Sequence, residues 1–221
     1  MYSLINENAG RIIDAFKSNE VIKQSDPSTY NTLIREVHEC DVTTSREFQR
    51  KYKGFWTMRP GEEYCQEYFT LLQQQKTHQQ LSALEIAKKL LPFPTRRVRK
   101  KNRIEPEYSI QFSYATKLAH MVNPHLPIYD AWVASFYFLS AKGRNDAAKI
   151  RAYETSYDFL VKEYQRIIRE ELLAPSIKRF KTELDDSRNQ TDEKIIDWLI
   201  MSFAKLAKDN DWFKTGKCRH T

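Results

Sequence analysis

FSYATKLAHMVNPHLPIYDAWV, residues 112–133, decides how this chain reads. Phe112 to Thr116 read as the tail of a turn, which puts Lys117 in the opening turn of an apolar helix with Leu118, Met121 and Val122. Asn123-Pro124 ends that helix, because proline restricts the residue before it and has no amide hydrogen to extend the ladder. Pro127-Ile128-Tyr129 reads as extended, and Asp130 is well typed to cap a helix over 131–140. So short a loop folds the second helix back, and Lys117 and Asp130 are expected to face one cleft. A helix N-terminus carries about half a positive charge, which disfavours an ammonium and favours a carboxylate. The expectation is a partly uncharged, nucleophilic Lys117 beside an ionised Asp130. That pairing suits attack on a sugar carbon at which positive charge develops. Asp130 also has a structural reason to be there, since an aspartate cap is worth about 1 kcal/mol, and the two roles are compatible.

Helical spacing continues on both sides. Residues 2–17 predict one amphipathic helix carrying Leu4, Ile5, Ile12, Ile13 and Phe16. Asp26-Pro27 is a start signal for a helix with Tyr30, Leu33, Ile34 and Val37 on one face. Further helices are predicted over 44–52 with a stop at Gly54, and from Pro60 to about residue 75. A polar break at Gln73 to Gln80 follows, then a helix over 81–91 stopped by Pro92 and Pro94. Asn145 or Asp146 caps a long helix through Ile150, Tyr153, Tyr157, Leu160, Tyr164, Ile167 and Ile168, which Pro175 ends. A shorter helix near 176–184 precedes a last one capped by Thr191, with Trp198 and Phe203 as core residues. No alternating strand pattern of useful length and no internal repeat is seen. The predicted fold class is all-α.

Composition narrows the partners. The chain has 221 residues with only 5 Gly, and 36 Lys and Arg against 29 Asp and Glu leave a net charge of +7. Arg96, Arg97, Arg99, Lys100, Lys101 and Arg103 place six positive charges in eight residues. Such a cluster releases counterions from a phosphate backbone, or else serves as a solvated linker. Cys40, Cys65 and Cys218 are far apart and odd in number, as expected of reduced thiols. The N-terminus lacks a basic flank before an apolar run, and no apolar run approaches the ~20 residues that span a bilayer. A soluble, cytoplasmic protein is expected. His38 and Cys40 lack the further ligands a zinc site needs. His120 and His125 read as ordinary hydrogen-bonded histidines.

The run SYATKLAHMVNPHLPIYD, residues 113–130, resembles the helix-hairpin-helix DNA glycosylase superfamily, and within it small bacterial proteins related to 8-oxoguanine DNA glycosylase. KGFWTM at 53–58 and KIIDWLI at 194–200 are looser local likenesses. The resemblance implies a single all-α, two-lobed domain, one lobe from 1–95 with 145–221 and the other from 96–144, with a base-binding cleft between them. Lys117 matches the lysine that attacks the sugar C1′ in lyase-type members, and Asp130 the aspartate that stabilises the oxocarbenium-like state or moves protons. Departures are visible too. Phe112-Ser113-Tyr114-Ala115-Thr116 replaces a glycine-rich hairpin, the Lys117–Asp130 interval is short, Trp132 stands where many relatives carry histidine, and no four-cysteine cluster motif is present.

The implied activity is removal of a damaged or modified base from double-stranded DNA by a monomer without metal or cofactor. The base is flipped from the duplex, at a cost of a few kcal/mol, against an aromatic platform drawn from Phe55, Trp56, Tyr129 and Trp132. Ser113, Thr116 and the basic cluster are the expected phosphate contacts. Two versions stay open: an imine-forming Lys117 with abasic-site lyase activity, or a protonated Lys117 that binds phosphate while Asp130 positions water. Repair and action on modified phage DNA are both compatible with this. The rival class is a non-catalytic helical DNA-binding or adaptor protein, with a module for an acidic partner as a weaker third.

Overall fold

The computed structural model describes residues 1–18, 26–78, 80–100 and 103–209. The stretch expected as one helix over 2–17 is two, α1 (Tyr2–Glu7) and α2 (Ala9–Lys17). Asn8 breaks it: its Nδ2 donates to Leu4 O at 2.8 Å, the local competition with the backbone that asparagine offers. α3 (Pro27–Glu39) starts as expected, with Thr29 N donating to Asp26 Oδ2 at 2.8 Å and Pro27 in the first turn. α4 (Arg46–Phe55) is capped by Ser45 and runs through Gly54, the expected stop. It closes one turn later in a Schellman arrangement, with Met58 N donating to Lys53 O at 2.9 Å and Thr57 N to Gly54 O at 3.2 Å. The left-handed position there is Thr57, at φ 51°.

α5 (Glu62–Thr77) continues through most of the expected polar break, because Gln75 turns inward and its Oε1 accepts Leu81 N at 2.9 Å. α6 (Ala83–Leu90) opens with a capping box between Ser82 and Glu85. The basic stretch then departs from the all-helical expectation. β1 (Arg96–Lys100) and β2 (Arg103–Glu107) form an antiparallel hairpin in the register Arg96↔Glu107 to Lys100↔Arg103. Both faces of this ribbon are largely solvated, so it lacks the apolar alternation by which a half-buried strand is recognised. Thr95 anchors its base, donating to Glu107 O and accepting from Gly61 N, each at 2.9 Å.

α7 (Phe112–Val122) and α8 (Ala131–Phe136) carry the focal segment. α8 is shorter than the expected 131–140, because Phe138 takes φ 56° and Leu139 N closes on Ala134 O at 2.8 Å. α9 (Asp146–Arg169), capped by Asn145, stops at Glu171 in the same way. Pro175 does not end α9; it sits in the first turn of α10 (Ala174–Glu183), where its missing amide hydrogen costs nothing. A short 3-10 turn (Asp185–Ser187) leads to α11 (Asp192–Asp209), where Lys194 N donates to Thr191 Oγ1 at 3.2 Å.

The fold is predominantly helical, with residues of all eleven helices found among the described residues in one continuous buried cluster. α11 occupies its middle: Ile195, Ile196, Trp198, Leu199 and Ile200 are all fully buried, and the helix packs on α2, α8, α9 and α10. A helix apolar on every side is a core helix, so any charge in its first turns is carried inside with it. Among the described residues no helix is long and apolar enough to cross a membrane.

Candidate functional site

The expected hairpin at Phe112–Thr116 is helical and forms the start of α7. Lys117 therefore lies in the second turn, past the reach of the dipole that was expected to discharge it. A different cause acts in the same direction. Burial pushes the Lys117 ammonium below its ordinary range, Lys194 adds repulsion, and Asp130 and Asp197 oppose both. Its Nζ lies 5.4 Å from the centre of the Trp56 ring and 5.6 Å from that of Tyr114, and donates to Trp56 O at a long 3.5 Å. Cation–π contact partly compensates the lost hydration.

Asp130 caps α8 as expected. Its Oδ1 accepts from Trp132 N and Val133 N, both at 2.8 Å, and Oδ2 has no protein partner among the described residues. The link to α7 runs through Thr116, which is fully buried. Thr116 Oγ1 accepts from Tyr129 N at 3.1 Å and donates to Ser113 O at 3.0 Å. The hydroxyl expected on a phosphate instead pins the residue before Asp130 to the turn before Lys117. Tyr157 donates to Pro127 O at 3.1 Å and holds the same loop from α9.

A second amine and carboxylate stand behind this pair. Lys194 and Asp197 on α11 form an ion pair of 2.8 Å with both side chains almost wholly buried. The Lys194 ammonium is caged by Trp198, Tyr30 and Trp56, at 4.8, 5.0 and 5.2 Å from the ring centres. The Trp56 indole thus lies against both lysines. Burial pushes the Asp197 carboxyl up, against the pull of Lys194, and its Oδ1 is buried without a hydrogen-bond partner among the described residues. A lysine in the opening turn of a helix does exist here, but it is Lys194. Beside it His120 is buried and pushed down to about 3, mainly by burial and then by Lys194. Its Nδ1–H donates to Leu126 O at 2.6 Å and Nε2 accepts from the Tyr30 hydroxyl at 2.7 Å.

The expected aromatic platform does not assemble. Trp56 reaches Lys117, but Phe55 packs against Trp56 and Tyr30 in the core. Tyr129 packs against Phe112 and Tyr153, each at 5.5 Å. Trp132 faces away, into an apolar cavity of about 630 Å³ with Phe136, Phe138 and Phe203. Tyr114, absent from the expected set, is the second ring at Lys117, and its half-buried edge leans on Thr57 and Arg59.

Of the expected phosphate contacts, Arg96 and Arg97 are exposed but paired with Glu107 at 2.8 Å and Glu63 at 3.1 Å. Arg99 and Arg103 are exposed and unpaired among the described residues. The side chain of Lys100 and all of Lys101 lie outside the described residues, as does Cys218. Ser113 is half-buried on the first turn of α7. Sequence reasoning missed Tyr114, Lys194 and Asp197, although the three-residue interval of the last two was visible inside KIIDWLI. No protein-family model matches the chain, and no curated protein or solved structure is significantly similar to it.

Proposed function

We propose that this protein is a DNA N-glycosylase that removes a damaged or modified base from duplex DNA, acting as a monomer through Lys117 and Asp130. The observation that carries the reading is a partly buried lysine set against two aromatic rings, with a helix-capping carboxylate that has one oxygen to spare within electrostatic reach of it. The reading brings with it the two-lobed glycosylase architecture, with residues 96–144 as the second lobe and the β-ribbon in the place of the glycine-rich hairpin.

Desolvation is what makes a lysine nucleophilic near neutral pH. In the proposed reaction the lone pair of Lys117 Nζ forms a bond to C1′ as the C1′–N glycosidic bond breaks. The electron pair departs with the base, which takes up a proton. Asp130 Oδ2 faces the positive charge that develops at the sugar, an electrostatic role suited to a fixed carboxylate. Loss of a proton from nitrogen and opening of the sugar ring then give an imine, the species from which lyase activity proceeds.

Borohydride present during turnover reduces that imine to a stable amine, so a covalent protein–DNA adduct is expected on a duplex carrying the substrate base, and none from Lys117→Ala. Asp130→Asn is expected to lower turnover by about 10²–10³-fold with DNA affinity retained. A panel of modified bases scored for abasic sites identifies the substrate. Active enzyme without an adduct overturns the imine and leaves Asp130 positioning water. One observation favours the non-catalytic reading: Lys117 is already engaged by the Trp56 carbonyl and two rings, as an anchoring lysine is. Lys117→Ala and Asp130→Asn variants that keep every measurable function would establish that binding module instead.

A further inference from the structure

α4 carries its charges in two different ways. Lys51 is compensated twice, by Glu36 at 2.9 Å and Glu47 at 3.1 Å. Arg46, Arg50 and Lys53 recur at intervals of four and three, the spacing that puts side chains on one helix face. These three and Arg59 line one open groove of about 790 Å³, in which the acid is Glu62. Among the described residues none of the four cations is ion-paired. Uncompensated cations gathered on one concave surface create a field that attracts a polyanion.

The groove does not stand alone. Arg59 and Glu62 also line the adjoining groove, of about 590 Å³, with Pro94, Arg96 and Arg97 at the foot of the ribbon. Beyond that lie Arg99 and Arg103. The track therefore runs from α4 across Arg59 to the ribbon. Its midpoint touches the candidate site: Trp56 lies on Lys117, and Arg59 N donates to the hydroxyl of Tyr114 at 3.4 Å. The left-handed turn at Thr57 is what sends Trp56 inward and Arg59 outward from adjacent stretches of chain.

We infer that the α4 groove seats the sugar–phosphate backbone of one strand of duplex DNA, with the ribbon gripping the flank of the same duplex, so that Lys117 sits between two backbone contacts. This rests on the reading of the Lys117 site as one that acts on DNA. From Arg46 to Lys53 the helix rises about 10 Å, matching two to three phosphates at about 3.4 Å of duplex rise each. The sequence cluster at 96–103 is then half of the binding surface, and Arg46, Arg50, Lys53 and Arg59 are the other half. These contacts position the duplex and carry no base specificity.

Binding of an unmodified duplex to the full chain, followed by fluorescence anisotropy from about 50 to 200 mM salt, tests the inference without any turnover. Each phosphate contact contributes about 0.9 to the slope of log K against log salt. Arg50→Gln/Lys53→Gln is expected to lower that slope by about 2 and to weaken binding at least tenfold at low salt. Lys51→Gln, on the compensated side, is expected to leave both unchanged. All three substitutions are on the surface, and unaltered thermal melts confirm the fold. A wild-type slope in the double variant, or an equal loss in Lys51→Gln, overturns the groove. A lowered slope with no base released from any duplex sinks the glycosylase reading while the groove stands.

Discussion

The charges at Lys117, Asp130, Lys194 and Asp197 and the charges on α4 and the ribbon follow opposite rules. In the core and at its margin each charge has a specific neighbour: buried Lys194 has Asp197 and three rings, and half-buried Lys117 has two rings and a carbonyl. On the surface Arg46, Arg50, Lys53 and Arg59 share a groove and have no ion-pair partner among the described residues. Water explains the contrast. An exposed guanidinium is solvated and screened, so it can be left unpaired for a partner to claim. A buried ammonium loses that solvation, a penalty of several kcal/mol, and must be paired or give up its proton. The interior charges thus carry a cost in stability, and the surface charges carry almost none.

The largest effect that would break this contrast is expected at Lys194. Lys194→Met leaves Asp197 buried and unpaired, and a loss of about 3–5 kcal/mol is expected in urea unfolding. Adding Asp197→Leu removes the orphaned carboxyl and should recover most of it. A Lys194→Met chain of wild-type stability would mean that the pair is solvated after all.

His120 sharpens the same comparison through pH. Its folded-state pKa lies near 3 while that of the unfolded chain is about 6.5. Between those values only the unfolded chain takes up the proton. The stability it contributes is complete above about pH 6.5 and declines by about 1.4 kcal/mol for each unit below. The groups facing it are Tyr30 on α3, Lys194 on α11, and the Leu126 carbonyl and His125 in the loop. His120→Gln should flatten the slope between pH 6 and 4, and an unchanged slope would place its origin elsewhere.

The smallest effect is expected on the ribbon. Arg99→Gln/Arg103→Gln should shift stability by no more than about 0.5 kcal/mol, while duplex binding loses about 2 in salt slope. A marked loss of stability there would show that the ribbon is structurally coupled to the body, and the distinction between the two charge sets would blur.

Much of the helical frame was legible because its signals are local. Asp26-Pro27, Asn145 and Thr191 each satisfy backbone amides within three residues, and they cap helices in the structure. The structure departs from such signals where a contact beyond the next turn, or a second role for the same residue, decides the outcome. Gln75 extended α5 by turning inward to bind the next segment, and Pro175 opened a helix instead of closing one. The three left-handed closures fall on Thr57, Phe138 and Glu171, where no glycine marks them. The ribbon escaped because solvated strands show no apolar alternation. Trp132 and Tyr129 are near Asp130 along the chain, but a side chain's direction depends on its helix turn and on what packs opposite.

By itself the sequence determined that the protein is helical, that Asp130 caps α8, and that positive charge gathers at 96–103, since capping, periodicity and charge density are properties of neighbours along the chain. Only the tertiary structure decided that burial pushes the Lys117 ammonium down, that Lys194 and Asp197 act on it from behind, and that α4 continues the basic track. Burial and field depend on what distant segments bring to one point, and a chain's local chemistry does not record who its distant neighbours are.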